Sequence, residues 1–488
     1  MFASELKALL QTPEVDRSLD HRSIHHHLVY LWCPSPDTVL KNVKKIPPGY
    51  ALVVKGRQIV RRWRFYDIPY DPEIEELSDA EATAQVRAAI RTAVERQMVA
   101  DVPVGSFLSG GLDSSTVVNF ARDFARDGAL DCFTIGFRDD LARQEGMTED
   151  LPYAVKVADH LGVRLHTIWV GPEMVDELPA MLYHLDEPQA DLAPINALFI
   201  SRLAREHGVK VLLSGAGGDD IFTGYRRHYA LLQERYWTWL PRSARSALRR
   251  FTSQASRTMG GSGRRLAKAF AFADMEGADR LASYFYWISP ERLKPLYTRD
   301  AWDQLQADRS MDPLIASLYS LPEGVEDLNR MLYLESKFFL SDHNLNYTDK
   351  MSMASGVEVR VPLLDPDLVA LATRLPLHQK LRGTTTKWIL RKAVEADLPR
   401  EVIHRPKTGF GAPLRPWLRG ELRPIVDDVL SPETLRKRGL FEPKAVSELV
   451  EADRAGRVDA SYTLFSLMCL ELWCRMFLDE ARPTLSSL

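Results

Sequence analysis

The segment Ser109-Gly110-Gly111-Leu112-Asp113-Ser114-Ser115 follows an apolar run, residues 102–108, and leads into a stretch of helical character. A strand that turns through two glycines into a helix constrains the fold around it. It also presents the unpaired N–H groups and positive dipole end of that helix to an anion. Gly110 and Gly111 let the backbone approach a phosphate closely, and the hydroxyls of Ser109, Ser114 and Ser115 are donors for its oxygens. Asp113 would repel a phosphate directly, so its place is that of a ligand to Mg²⁺ bridging phosphate oxygens. No Gly-Lys-Ser/Thr ending of the Walker A kind follows, which disfavours a γ-phosphate site of the kinase type. The plain alternative is a strand-to-helix turn with a serine cap.

Strand and helix patterns alternate around this turn. Residues 102–108, 132–137, 165–170 and 209–213 read as strands, and 114–126 and 153–161 as helices. Ile195, Leu198, Phe199 and Leu203 mark a further helix, and Ser78 with Glu81 forms a capping box ahead of Val86, Ile90 and Val94. This rhythm predicts an α/β fold: a parallel sheet with helices on both faces. Its first and last strands run into glycine-rich turns, and ligands of such sheets bind at the carboxyl ends of the strands. Nearer the N-terminus, residues 51–54 and 58–63 around Lys55-Gly56 read as a β-hairpin following the turn Pro47-Pro48-Gly49. The Arg-, Ser- and Gly-rich residues 241–268 read as a solvated helical surface with a loop, and the rest as mostly helical.

A length of 488 residues predicts two or more domains. The net charge of -3 gives no reason to expect nucleic-acid binding. No apolar run reaches the roughly 18 residues of a membrane span, and no signal peptide is visible, so the reading is cytoplasmic with no membrane partner. Cys33, Cys132, Cys469 and Cys474 lack metal-ligand spacing and are expected to be buried thiols. His25-His26-His27 has no accompanying ligands and is expected on the surface.

The segment from Ser109 to Ser115 resembles the PP-loop of the ATP pyrophosphatases, which cleave ATP between the α- and β-phosphates. Four further stretches, in order across residues 78–420, resemble the synthetase domain of asparagine synthetases. They are Asp186-Glu187-Pro188 with Asp191; Leu213 through Asp220 with Gly224-Tyr225; Asp349-Lys350-Met351-Ser352 through Glu358-Val359-Arg360-Val361-Pro362 to Asp365; and Arg405-Pro406-Lys407-Thr408-Gly409-Phe410. The resemblance implies ATP and Mg²⁺ as cofactors, with Asp113 and Asp219 as metal ligands. Lys407 would neutralise phosphate charge in the transition state. By the same likeness the backbone at Phe107 and Ile135 holds the adenine, and Ser214 with Gly215 the ribose or phosphate. Lys387 and Arg391, at i and i+4, offer one helix face to phosphate or to water. Glu358 and Arg360 read as a buried structural pair.

The implied reaction is AMP-forming amide synthesis from a small carboxylate, aspartate first, and ammonia or an amine. Two departures bear on it. Asparagine synthetases carry a glutamate where this chain has Ala216, as β-lactam synthetases do not, so cyclases and sugar-acid amidating relatives are alternatives. A non-catalytic partner of an intact synthetase is another. The segment from Phe2 to Leu9 and the hairpin resemble the end of a class II glutaminase domain, whose N-terminal cysteine is missing. The expected organisation is a glutaminase remnant over 1–70, a synthetase domain over 78–420 and a helical extension over 421–488. A separate glutaminase polypeptide and a second copy of the chain, as a homodimer, are the protein partners this implies.

Overall fold

Two antiparallel strands, β1 (Tyr50–Lys55) and β2 (Gln58–Arg64), form the hairpin the sequence predicts, as a small sheet of its own. Five parallel strands make the main sheet: β3 (Val104–Phe107), β4 (Asp131–Phe137), β5 (Arg164–Val170), β6 (Val211–Leu213) and β7 (Glu358–Arg360), in the order β5-β4-β3-β6-β7. The computed structural model describes the chain apart from residues 72, 126–128, 139–149, 256–266, 268, 406–412 and 481–488.

Neighbouring residues of a strand point to opposite faces of the sheet, and here each face has its own core. Phe133 and Ile135 of β4 join one core with Ile195 and Leu198 of the helix Ala193–Glu206. Cys132 joins the other, with Val86, Ile90 and Val94 of the helix Asp79–Gln97 and residues of the helices Leu112–Ala121, Leu151–Leu161 and Trp388–Ala393. Burial on both faces explains why β4 reads as a continuous apolar run rather than an alternating one. The capping box at Ser78 and Glu81 forms as the sequence predicts.

The first core also brings an N-terminal and a C-terminal segment together. Leu6, Leu10, Ile24, Leu28 and Trp32 share it with Phe465, Trp473 and Phe477. The helix Ser461–Cys474 is apolar almost all round and almost wholly buried, as a helix enclosed by protein must be.

Two expectations are corrected. The histidine triplet lies on the helix His21–Tyr30, where His26 is buried and His27 fully so, with His27 Nε2 at 3.1 Å from the Ser466 carbonyl. Burial pushes the His27 imidazole down to about 4. The helix's neighbours Ile24 and Leu28, apolar at i and i+4, place that face in the core. Glu358 and Arg360 do pair, at 2.7 Å, but Glu358 is exposed and Arg360 half-buried, because β7 is an edge strand. All four cysteines are free and buried, as expected. No helix among the described residues is long and apolar enough to cross a membrane.

Candidate active site

The chain passes from β3 to β4 to β5 and then returns to the far side of β3 to form β6. The reversal falls between β3 and β6, whose parallel pairing sets Ser106 opposite Leu213. Loops 108–111 and 214–217 therefore leave the sheet side by side at its carboxyl edge, the usual ligand crevice of an open α/β sheet. Gly110 has φ +67°, and a Cβ there would lie 2.4 Å from backbone atoms of Tyr153 and Ala154. Only glycine fits. Across the crevice, a Cβ on Gly218 would come within 2.6 Å of the Asp113 carboxylate, and one on Gly215 within 2.5 Å of the Ser114 nitrogen.

The helix Leu112–Ala121 starts from Gly111, and no side chain caps it. Its first-turn N–H groups and dipole stand where the sequence reading expects an anion. Ser114 Oγ lies 3.1 Å from Ser109 Oγ and donates to the Gly111 carbonyl at 3.2 Å, while Ser109 Oγ accepts from the Gly111 N–H at 3.3 Å. Ser115 is fully buried beside them. In the adjacent loop, Ser214 Oγ accepts from the Ala216 N–H at 3.2 Å.

Asp113 and Asp219, far apart in sequence, meet on one cation. Lys387 Nζ stands 2.5 Å from Asp113 Oδ2 and 2.6 Å from Asp219 Oδ1. Lys387 is almost fully buried and has φ +53°, as the residue just before the helix Trp388–Ala393. It therefore does not share a helix face with Arg391, contrary to the i, i+4 reading. The threonine run 384–386 before it carries branched side chains that disfavour extending the helix backwards. Arg391 donates from Nε to the Thr386 carbonyl at 2.7 Å, and burial lowers its pKa against the opposing pull of Asp113 and Asp219. Thr223, a β-branched residue at φ +67°, donates to the Lys380 carbonyl at 2.9 Å. Left-handed backbone at Thr223 and Lys387 is the kind of strain that functional sites hold in place.

Two carboxylates within reach of one ammonium, beside an uncapped helix start, are an oxygen donor set that fits Mg²⁺. That ion binds through one or two carboxylates plus phosphate oxygens. At the adenine position proposed from the resemblance, β3 ends opposite Phe133, whose carbonyl accepts from the Leu108 N–H at 3.0 Å. Strand β4 runs on through Ile135 to Phe137 in register with β5 alone. Phe107 and Ile135 thus flank a stretch of strand edge that is not in a ladder with β3.

Lys407 lies outside the described residues. Arg405, just before it, donates from Nη1 to the Ser109 carbonyl at 3.2 Å and from Nη2 to Asp150 at 2.6 Å, with its guanidinium 4.2 Å over the Tyr153 ring. Sequence reasoning gave Arg405 no role, since nothing in spacing links it to Ser109. A second polar group surrounds Asp191 at the start of the helix Ala193–Glu206. His343 Nε2 is 3.3 Å from Asp191, Asn344 donates to the Tyr225 hydroxyl at 3.4 Å, and that hydroxyl donates to Asp220 at 3.4 Å.

A model of the asparagine synthase family matches residues 85–475, and one of the glutamine amidotransferase domain matches residues 1–66. A protein of Mycobacterium tuberculosis (strain ATCC 25618 / H37Rv) named "Putative asparagine synthetase [glutamine-hydrolyzing]" is 31% identical over 98% of this chain and 71% of its own length. Asparagine synthetase [glutamine-hydrolyzing] 1 of Bacillus subtilis (strain 168) is 28% identical over 97% of this chain and 71% of its own. Amidase chyE of Penicillium rubens is 25% identical over 86% of this chain and 66% of its own.

Proposed function

The chain belongs to the asparagine synthase family, and from that premise we propose that it adenylates a small carboxylate with ATP and passes the acyl group to ammonia or an amine. The observation that carries this reading is the meeting of Asp113 and Asp219 across two glycine turns at the reversal of strand order. A substrate carboxylate oxygen attacks the α-phosphorus and pyrophosphate leaves, forming an acyl-adenylate. The amine then attacks the acyl carbon, AMP leaves, and the amine's proton is released. Asp113 and Asp219 would hold Mg²⁺, which neutralises charge on the departing pyrophosphate. The start of the helix Leu112–Ala121, with Ser109 and Ser114, binds the phosphates, and the backbone at Phe107 and Ile135 the adenine. Lys387 and Arg391 keep the carboxylate pair charge-balanced, and Lys407 supplies positive charge to the transferring phosphate.

Aspartate is the first candidate carboxylate. Ala216 favours a second reading, an amide-forming relative with another acceptor, because a methyl group takes no proton from an attacking amine. Incubation with ATP, Mg²⁺, ammonium and aspartate, followed by mass spectrometry, should show AMP and pyrophosphate, and asparagine if aspartate is the substrate. Asp113→Ala and Asp219→Ala should each abolish pyrophosphate release with an unchanged circular dichroism spectrum. Release at the wild-type rate in either variant would overturn the metal assignment.

A further inference from the structure

The helix Asp327–Leu334 passes into the π-helix Glu335–Leu345 and then into the helix Asn346–Met353. A π-helix of this length is rare, and such geometry persists only where its surroundings fix it. Here they do so from two sides. Towards the N-terminal segment, Asp342 accepts from the Ser35 N–H at 2.7 Å and the Ser35 hydroxyl at 2.6 Å. Lys45, which donates to the Cys33 carbonyl at 2.6 Å and pairs with Glu187 at 2.7 Å, also bears electrostatically on Asp342. Towards the site, Glu335 is bound by Arg227 and His228 of the helix Arg226–Gln233, which follows the short helix Gly218–Ile221 that carries Asp219. His343 and Asn344, the next residues after Asp342, hold Asp191 and Tyr225.

We propose that this π-helix couples the polar group around Asp191 and Tyr225, beside the candidate site, to the N-terminal segment, with Asp342 as a positioning residue gripped by Ser35. The widened turn aims Asp342 at Ser35 while its chain neighbours His343 and Asn344 meet Asp191 and Tyr225. Loosening the Ser35 grip therefore shifts the groups that meet Asp191 and Tyr225. The proposal rests on the reaction above, but its structural half is measurable without it.

The test uses the full chain with Ser35→Ala, Asp342→Asn and the conservative Ser35→Thr. Hydrogen exchange in Ser35→Ala should rise at least about fivefold in residues 186–193 and 219–228, and return to the wild-type rate in Ser35→Thr. With ammonium and a turned-over carboxylate, kcat should fall about tenfold in Ser35→Ala and Asp342→Asn, with the KM for ATP within about twofold. Faster exchange confined to residues 18–45, or an unchanged kcat, would overturn the coupling. If the wild type makes no AMP from any carboxylate, the reaction assignment fails, and the exchange data still decide the coupling.

Discussion

The ammonium of Lys380 has Asn329 Oδ1 at 3.0 Å, the Thr373 carbonyl at 3.4 Å and no exposed surface. Burial pushes it down to about 7. An unfolded chain keeps that proton to about pH 10.5, so between pH 7 and 10.5 the unfolded state binds more protons and stability rises with pH. Lys380→Met should remove this contribution. Urea midpoints should favour the wild type more at pH 9.5 than at pH 7, and parallel profiles would show that Lys380 keeps its charge in the fold. If the proposed reaction makes asparagine, Ala216→Glu, which supplies the glutamate that asparagine synthetases carry there, should raise asparagine formation from ammonia severalfold. A slower Glu variant beside an efficient wild type would show that the methyl group is no handicap. The place of Asp113, Ser109 and Ser114 at a strand-to-helix turn was legible, because two glycines between an apolar run and a helical pattern mark such a turn. The side-chain geometry of Lys387 was not, because its left-handed backbone and its two carboxylate partners come from tertiary contacts that spacing does not encode.

Among the elements, the helix Ser461–Cys474 carries the heaviest packing. Trp473 is fully buried and donates from Nε1 to the Asp186 carbonyl at 2.7 Å. Removing its ring leaves a cavity and an unmet carbonyl, so Trp473→Ala should cost about 3–5 kcal/mol in chemical denaturation. A loss below about 1 kcal/mol would mean that the surroundings collapse into the space. Elements with strong local signals were readable: the helix Asp79–Gln97 announces itself by its cap and apolar spacing, and β4 by its apolar run. Strand β7 was not, since Glu358-Val359-Arg360 sets one apolar residue between two charged ones and gives no buried run. The histidine triplet misled because polarity was taken for exposure, whereas the apolar residues around it fix the helix face inward.

At the scale of the molecule, the parallel sheet was legible from the alternation of strand and helix. The core shared by the N-terminal and C-terminal segments was not, since apolar residues do not name their distant partners. Glutamine hydrolysis by this polypeptide would need a reactive thiol. Cys33 donates from Sγ to the Ser23 carbonyl at 3.4 Å and burial pushes its pKa well up, and the other three cysteines are buried too. The purified 488-residue polypeptide should release no glutamate from glutamine, with or without ATP. Release that survives Cys33→Ser would reveal a nucleophile elsewhere. These same buried sulfurs divide unevenly: Cys132 sits in one core, and Cys33, Cys469 and Cys474 in the other. Alkylation under native conditions therefore clocks each half separately, and peptide mapping of iodoacetamide adducts would tell whether the two layers breathe as one cooperative unit or come apart in sequence.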